Sequence, residues 1–352
     1  MDGKNDIKWI PKKTINHSLT STLLKESEDV GQYTNGGPNV KRLEEWVKNH
    51  LHVDAGKAVV CVANGTVALH ALVAAIHLDQ SKDLQWATQA FTFPSSVQGN
   101  LAGTHIVDID AGGGLDLKQV PEDADGIIVT NVFGNVVDIT KYEEWAARNN
   151  KILLFDNAAT SYTFYKGRNA VNYGTGCIIS FHHTKPIGFG EGGAIIVDAK
   201  YEHHIRNIIN FGINNGVTAT NWHPMGSNYK MSDIAAVYIL QFLSDFSDIV
   251  ERTRTIYALY KSLLEGVNGV ELYPNFADPD TIPFVSCMCV LSAHYTPECV
   301  QEILTTGVFC RKYYNPLISL PKSDEFFNKI LCVPCHYDMD VKDVIRVTTQ
   351  LL

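Results

Sequence analysis

Apolar positions over residues 40–50 (VKRLEEWVKNH) recur at helical spacing, whereas residues 58–63 (AVVCVA) form the short unbroken apolar run that suits a buried strand. Asn64, Gly65 and Thr66 then open a second helical pattern that runs to residue 76. The order is strand, small turn, helix N-terminus. Residues 104–109 (THIVDI), 126–131 (GIIVTN), 151–155 (KILLF), 177–181 (CIISF) and 193–197 (GAIIV) read as further buried strands, several of them separated by helical stretches such as 139–149. Alternation of this kind predicts an α/β domain with a mostly parallel sheet covered on both faces, and it places ligands beyond the C-terminal ends of the strands. From residue 234 to 264 the pattern becomes one long helix. Residues 281–291 then look strand-like and 297–306 helical, which predicts a smaller C-terminal α+β domain. We expect a large domain over residues 1–240 and a small one over 241–352.

Composition narrows the class. The 352 residues are 45% hydrophobic and 19% charged, enough apolar material for one large or two medium cores. No stretch approaches the roughly 20 unbroken apolar residues of a membrane-spanning helix, and residues 1–13 carry mixed charge without the apolar core of a signal peptide. A cytoplasmic chain that engages no membrane is expected. A net charge of -9 without clustered Lys and Arg argues against nucleic acid as a partner. Eight scattered cysteines suit reduced, mostly buried thiols better than a disulfide framework.

Several motifs resolve into plainer readings. Gly188-Phe-Gly190-Glu-Gly-Gly193 satisfies G-x-G-x-x-G, but a dinucleotide fingerprint needs a helix after it, and here a strand-like run follows. A tightly turned loop is the better reading. Cys332-Val-Pro-Cys335-His336 imitates a redox or haem-attachment motif, yet its place near the C-terminus favours two cysteines in a core strand. The pairs His182-His183 and His203-His204 are adjacent and so point in different directions, and the spacing of Cys and His shows no zinc set.

Three positions carry more chemistry together than apart. The Asn64-Gly65-Thr66 turn exposes backbone N–H groups at the positive end of a helix dipole, a cradle for phosphate or, equally, an ordinary cap. Asp156 ends one buried strand. Lys185 follows another, flanked by apolar strand and glycine loop, where desolvation lowers an amine's pKa and leaves it nucleophilic. A phosphate cradle, a carboxylate and a lysine on successive strand ends are the attachments that pyridoxal 5'-phosphate requires: phosphate at the helix, ring nitrogen at the carboxylate, aldehyde at the lysine. Phe93 could supply a stacking ring.

These residues resemble the fold-type I sugar aminotransferases, which aminate nucleotide-linked keto-sugars. The resemblance covers most of the chain, and rests on Asn64-Gly-Thr-Val-Ala-Leu69, Thr92-Phe93, Asp156-Asn-Ala158, Ser180-Phe-His-His-Thr-Lys185 with Glu191-Gly-Gly-Ala194, and Gly226-Ser-Asn-Tyr-Lys-Met-Ser232. It implies a fold-type I α/β large domain with a small C-terminal domain. It also implies Lys185 as the Schiff-base lysine and proton shuttle, Asp156 as partner of the ring nitrogen, and Phe93 as the stacking ring. Gly65, Thr66 and Ser180 would hold the phosphate, and Asn228 would reach the neighbouring subunit's phosphate in a homodimer with shared sites. L-Glutamate is the implied amino donor in a ping-pong scheme. A lysine rather than a histidine at position 185 favours amination over the dehydration performed by a related subgroup, and the flavour is closest to enzymes making 4-amino-4,6-dideoxy sugars. Ala159 stands where the family often has Gln, Glu or His, a gap that Thr160 or another loop would have to fill.

Overall fold

The computed structural model describes residues 6–213, 222–273, 276 and 278–352. Two helices, α1 (His17–Val30) and α2 (Pro38–His50), precede β1 (Lys57–Val62) and α3 (Gly65–Gln80). Strands β2 (Trp86–Gln89), β3 (His105–Val107) and β4 (Gly126–Thr130) lead to α4 (Ile139–Asn149) and β5 (Ile152–Asp156). A small hairpin, β6 (Phe164–Tyr165) with β7 (Arg168–Asn169), precedes β8 (Gly176–Ser180), β9 (Gly193–Asp198) and α5 (Glu202–Ile208). Then come α6 (Asp233–Leu243), α7 (Phe246–Leu264), β10 (Glu271–Tyr273), β11 (Met288–Leu291), α8 (Pro297–Thr305), α9 (Pro321–Lys329), β12 (Ile330–Val333) and α10 (Val341–Leu351).

Seven strands form one sheet in the order β1-β9-β8-β5-β4-β2-β3. Alternate side chains serve opposite faces. Val59, Cys61, Ile127, Val129, Leu153, Phe155, Cys177, Ile179, Ala194 and Ile196 enter one apolar cluster with α2 and α6. Val60, Val62, Ile128, Leu154, Ile178, Ile195 and Val197 enter another with α3 and α5. Burial on both faces is why these strands read as continuous apolar runs.

One strand is reversed. β9 pairs antiparallel with both β1 and β8, whereas β8, β5, β4, β2 and β3 are mutually parallel. The cause lies in the connection from Ser180 to Gly193, which holds no crossover helix and so brings the chain back as an antiparallel neighbour. As a result the C-terminal ends of β1, β8, β5 and β4 meet the start of β9 at one edge. The loop that makes this return is the one carrying Lys185.

A three-stranded antiparallel sheet, β10-β11-β12, packs with α7, α8 and α10 around a second core that includes Tyr260, Val290, Leu331 and Val347. Ile7 joins this core through backbone bonds with Gly307 and Phe309. Two expectations need correction here. The single helix over 234–264 is two helices, interrupted at Ser244 and Asp245, where the Ser244 hydroxyl donates to the Gln241 carbonyl at 2.8 Å and competes with the helical ladder. The strand expected over 281–291 is confined to β11, because Pro283 removes a ladder donor and Ser286 N–H bonds to Phe133 instead of to a strand partner. The short β2 (WATQ) went unread, since its burial comes from its place between β4 and β3 rather than from its own pattern.

Candidate active site

Period-two geometry carries two polar groups to the same face and edge. Asp156 is the register partner of Ile178, and Ser180 lies two residues beyond Ile178, so all three share the face that Leu154 and Ile178 present to α3. The N-terminus of α3 sits at the same edge. Asn64 caps it, its side-chain oxygen accepting from Val67 N–H at 3.0 Å, while the Asn64 carbonyl takes Ala68 N–H. That leaves the amides of Gly65 and Thr66 at the first positions of the helix, where no intrahelical acceptor exists. Cap and anion cradle, alternatives in the sequence, are therefore compatible.

A cavity of about 630 Å³ opens here, lined by Asn64, Gly65, Thr66, Phe93, Asp156, Ser180 and Lys185 among others. Six of the seven site residues expected from the sequence thus converge. Asn228 does not line it. It is exposed and forms an antiparallel bridge with Asn210.

Asp156 is 2% exposed, and burial raises its carboxyl above the ordinary carboxylate value, opposed by Ala158 N–H at 3.0 Å and by the Lys185 charge. A buried carboxylate aimed into a cavity with acceptor capacity to spare fits a protonated ring nitrogen. Burial lowers the Lys185 amine below its ordinary value, with the charges of Asp156 and Cys287 opposing. Ser180 turns its hydroxyl to accept from His182 N–H at 3.1 Å. Phe93 remains 53% exposed and meets Tyr314 edge-on at 6.0 Å, leaving a ring face at the cavity mouth.

The loop bearing Lys185 is held by its own backbone and by one remote cation. Lys185 N–H donates to the His182 carbonyl at 2.8 Å, Gly188 N–H to the Lys185 carbonyl at 3.0 Å, and His183 N–H to Gly190 at 2.8 Å. Lys13, in the segment before α1, donates to the carbonyls of His183, Lys185 and Gly188 at 2.7, 2.8 and 2.5 Å. Burial pushes the Lys13 amine down to about 7. The sequence reading missed Lys13, and no local signal marks it, because its partners lie some 170 residues away. The glycines of this loop are packing requirements. A Cβ on Gly188 would sit 2.0 Å from the His182 carbonyl oxygen, and one on Gly193 would lie 2.6 Å from the carbonyl carbon of Asn64.

Ala159 lines the cavity, but Thr160 does not compensate for it. The Thr160 hydroxyl donates to the Asn131 carbonyl at 2.6 Å and accepts from Gly134 N–H at 3.2 Å, so it serves the backbone. Polar lining comes instead from Thr130, Asn131, His182 and Glu191, with His182 Nε2 3.6 Å from Glu191 Oε1. Also overlooked was a thiol cluster: Cys287, Cys289 and Cys332 have sulfurs all within 4.8 Å of one another. Cys332 lies 43 residues from Cys289 and on the neighbouring strand β12, which is why spacing showed no such set.

A mostly parallel sheet with one reversed strand, and a lysine on the returning loop, define the fold-type I transferase class. The chain belongs to the DegT/DnrJ/EryC1/StrS aminotransferase family, whose model matches residues 16–352. Among curated relatives, protein Rv3402c of Mycobacterium tuberculosis is 28% identical, with 91% of this chain and 83% of the relative covered. The dTDP-4-amino-4,6-dideoxy-D-glucose transaminase of Escherichia coli is 26% identical, with 91% of each chain covered. Among solved structures, DesI in the presence of its TDP-sugar product superposes with a TM-score of 0.83 at 25% identity, covering 99% of this chain and 92% of that one. No helix among the described residues is long and apolar enough to cross a membrane.

Proposed function

We propose that this chain moves an amino group from L-glutamate to C-4 of a nucleotide-linked 4-keto-6-deoxy sugar, using pyridoxal 5'-phosphate bound in the cavity at Lys185. The observation that carries the reading is the convergence of the α3 N-terminus, Asp156 and Lys185 on one cavity from separate strand ends. When bound, the cofactor supplies an aldehyde that carries the amino group and an electron-poor ring that disperses charge from the reacting carbon. The protein's own residues supply the rest. The amides of Gly65 and Thr66, with Ser180, hold the phosphate at the positive end of α3. Asp156 presents its carboxylate to the ring nitrogen, and its burial makes that pairing strong because no water competes. Desolvation keeps a fraction of Lys185 as free amine, able to attack a carbonyl and afterwards to carry a proton between donor or acceptor carbon and the cavity. Phe93 covers one side of the ring.

Support for C-4 comes from the Escherichia coli relative, named for a 4-amino-4,6-dideoxy-glucose product. The exposed position of Asn228 outside its own cavity suits a contact with a partner subunit's phosphate in a homodimer with shared sites. The test is incubation of the protein with pyridoxal phosphate, L-glutamate and a panel of UDP-, dTDP- and GDP-linked 3-keto and 4-keto sugars, with the amination position read by NMR. A C-4 amino product is expected. Amination only at C-3 would refute the positional assignment, and no amination of any member would refute the substrate class.

A further inference from the structure

We infer that Cys287, Cys289 and Cys332 form a three-thiolate site for one soft, thiophilic metal ion beside the floor of the cavity. The strand geometry builds it. Cys289 and Cys332 are register partners across the antiparallel pair β11 and β12. Cys332 exchanges both of its backbone hydrogen bonds with Arg311 on its other side, at 2.8 Å each, so its pairing with Cys289 is of the non-hydrogen-bonded kind in which opposing side chains stand closest. Cys287, two residues before Cys289, projects toward the same face. The sulfur separations are 3.6 Å for Cys287 to Cys289 and 3.6 Å for Cys289 to Cys332, and all three sulfurs lie within 4.8 Å.

Metal–sulfur bonds of about 2.3 Å require sulfur–sulfur separations of roughly 3.8 to 4.0 Å for tetrahedral or trigonal coordination. The cluster needs only tenths of an ångström of side-chain rotation to meet that. All three cysteines are free and buried, and the surrounding walls are apolar, including Phe91, Ile109, Phe133 and Ile330. Thiolate ligands in such a wall select soft ions such as Cu(I), Cd²⁺ or Zn²⁺ over Mg²⁺ or Ca²⁺. Entry is available because Cys287 and its neighbour Ser286 line the cavity, and a fourth ligand could approach from that side.

The inference rests on thiol geometry, independent of whether the chain transaminates. Its test uses the full-length protein, reduced with a phosphine and titrated with Cd²⁺ while sulfur-to-cadmium charge transfer is followed in the ultraviolet. We expect one equivalent to bind with three sulfur neighbours by X-ray absorption. The signal should be lost in Cys332→Val, whose apolar side chain suits the strand, and kept in Cys61→Ala, which removes a buried thiol elsewhere. Should Cys332→Val not fold, Cys287→Ser at the cavity wall removes one of the three thiolates while keeping a side chain of similar size. Absence of the signal in the wild type, or its persistence in Cys332→Val or Cys287→Ser, would overturn the site.

Discussion

Replacing Lys13 with Met removes a cation that touches no expected substrate yet holds the loop of Lys185 through three carbonyls. Hydrogen bonds from a charged donor contribute about 1.5–3 kcal/mol each. Three of them give a gross ~4.5–9 kcal/mol, offset by several kcal/mol for stripping water from the ammonium. A net loss of ~2–4 kcal/mol in unfolding free energy is expected, since Met leaves the carbonyls unpaired and also removes the amine that sits 4.7 Å from the centre of the Phe242 ring. The pH dependence follows from the depressed amine. Its folded pKa of about 7 lies below its unfolded value of 10.5, so between those limits the unfolded chain holds a proton that the folded chain has released. Unfolding free energy therefore rises with pH in that window by up to ~1.4 kcal/mol per pH unit, and below pH 7 the contribution is flat. Urea unfolding of wild type and Lys13→Met at pH 6 and pH 8.5 measures both effects, and the gap between the two proteins should widen at the higher pH. The loosened loop should also slow turnover by ~10- to 100-fold, as a misplaced reacting group does. Equal stability of the two proteins at both pH values would refute the account of Lys13 as a clamp on this loop.

Lys185→Ala should abolish covalent attachment, so that borohydride reduction followed by peptide mapping finds cofactor mass on Lys185 in the wild type and on no lysine in the variant; turnover should fall by at least ~10²- to 10⁴-fold. Cofactor mass on Lys166, Lys200 or Lys230 would contradict the assignment. Asp156→Ala should retain the fold and lose most activity. Because burial raises the folded pKa of Asp156, the cofactor-free wild type should lose stability as pH rises from the unfolded value of 3.8 through the raised one, and Asp156→Ala should lack that slope in acid-range unfolding curves. Gly193→Ala drives a Cβ into the Asn64 carbonyl, so we expect a loss of ~1–3 kcal/mol and weaker phosphate binding, read by thermal melts and by equilibrium dialysis of cofactor. Light scattering should give a homodimer, and Asn228→Ala should weaken cofactor binding without dissociating it; a fully active monomer would exclude shared sites.

The sequence by itself determined the alternation of buried strands and helices, because a sheet covered on both faces forces apolar residues into consecutive positions. It also singled out Gly65, Thr66, Asp156 and Lys185, which follow the apolar runs 58–63, 151–155 and 177–181 within a few residues. Chemical complementarity suggested Phe93, and motif resemblance added Ser180 and Asn228, which periodicity does not single out. What the chain could not announce locally was anything made by long-range pairing. The reversal of β9 follows from a return loop without a helix, and only in three dimensions does that reversal bring Gly193 against Asn64 and place Lys185 over the edge shared by β1, β8 and β5. Lys13 reaches that loop across about 170 residues. Cys287, Cys289 and Cys332 meet because two antiparallel strands adopt one register, and a shift of that register by one residue would turn Cys332 to the opposite face. Local pattern set which residues stand at the ends of strands, and tertiary pairing decided which of those ends face one another.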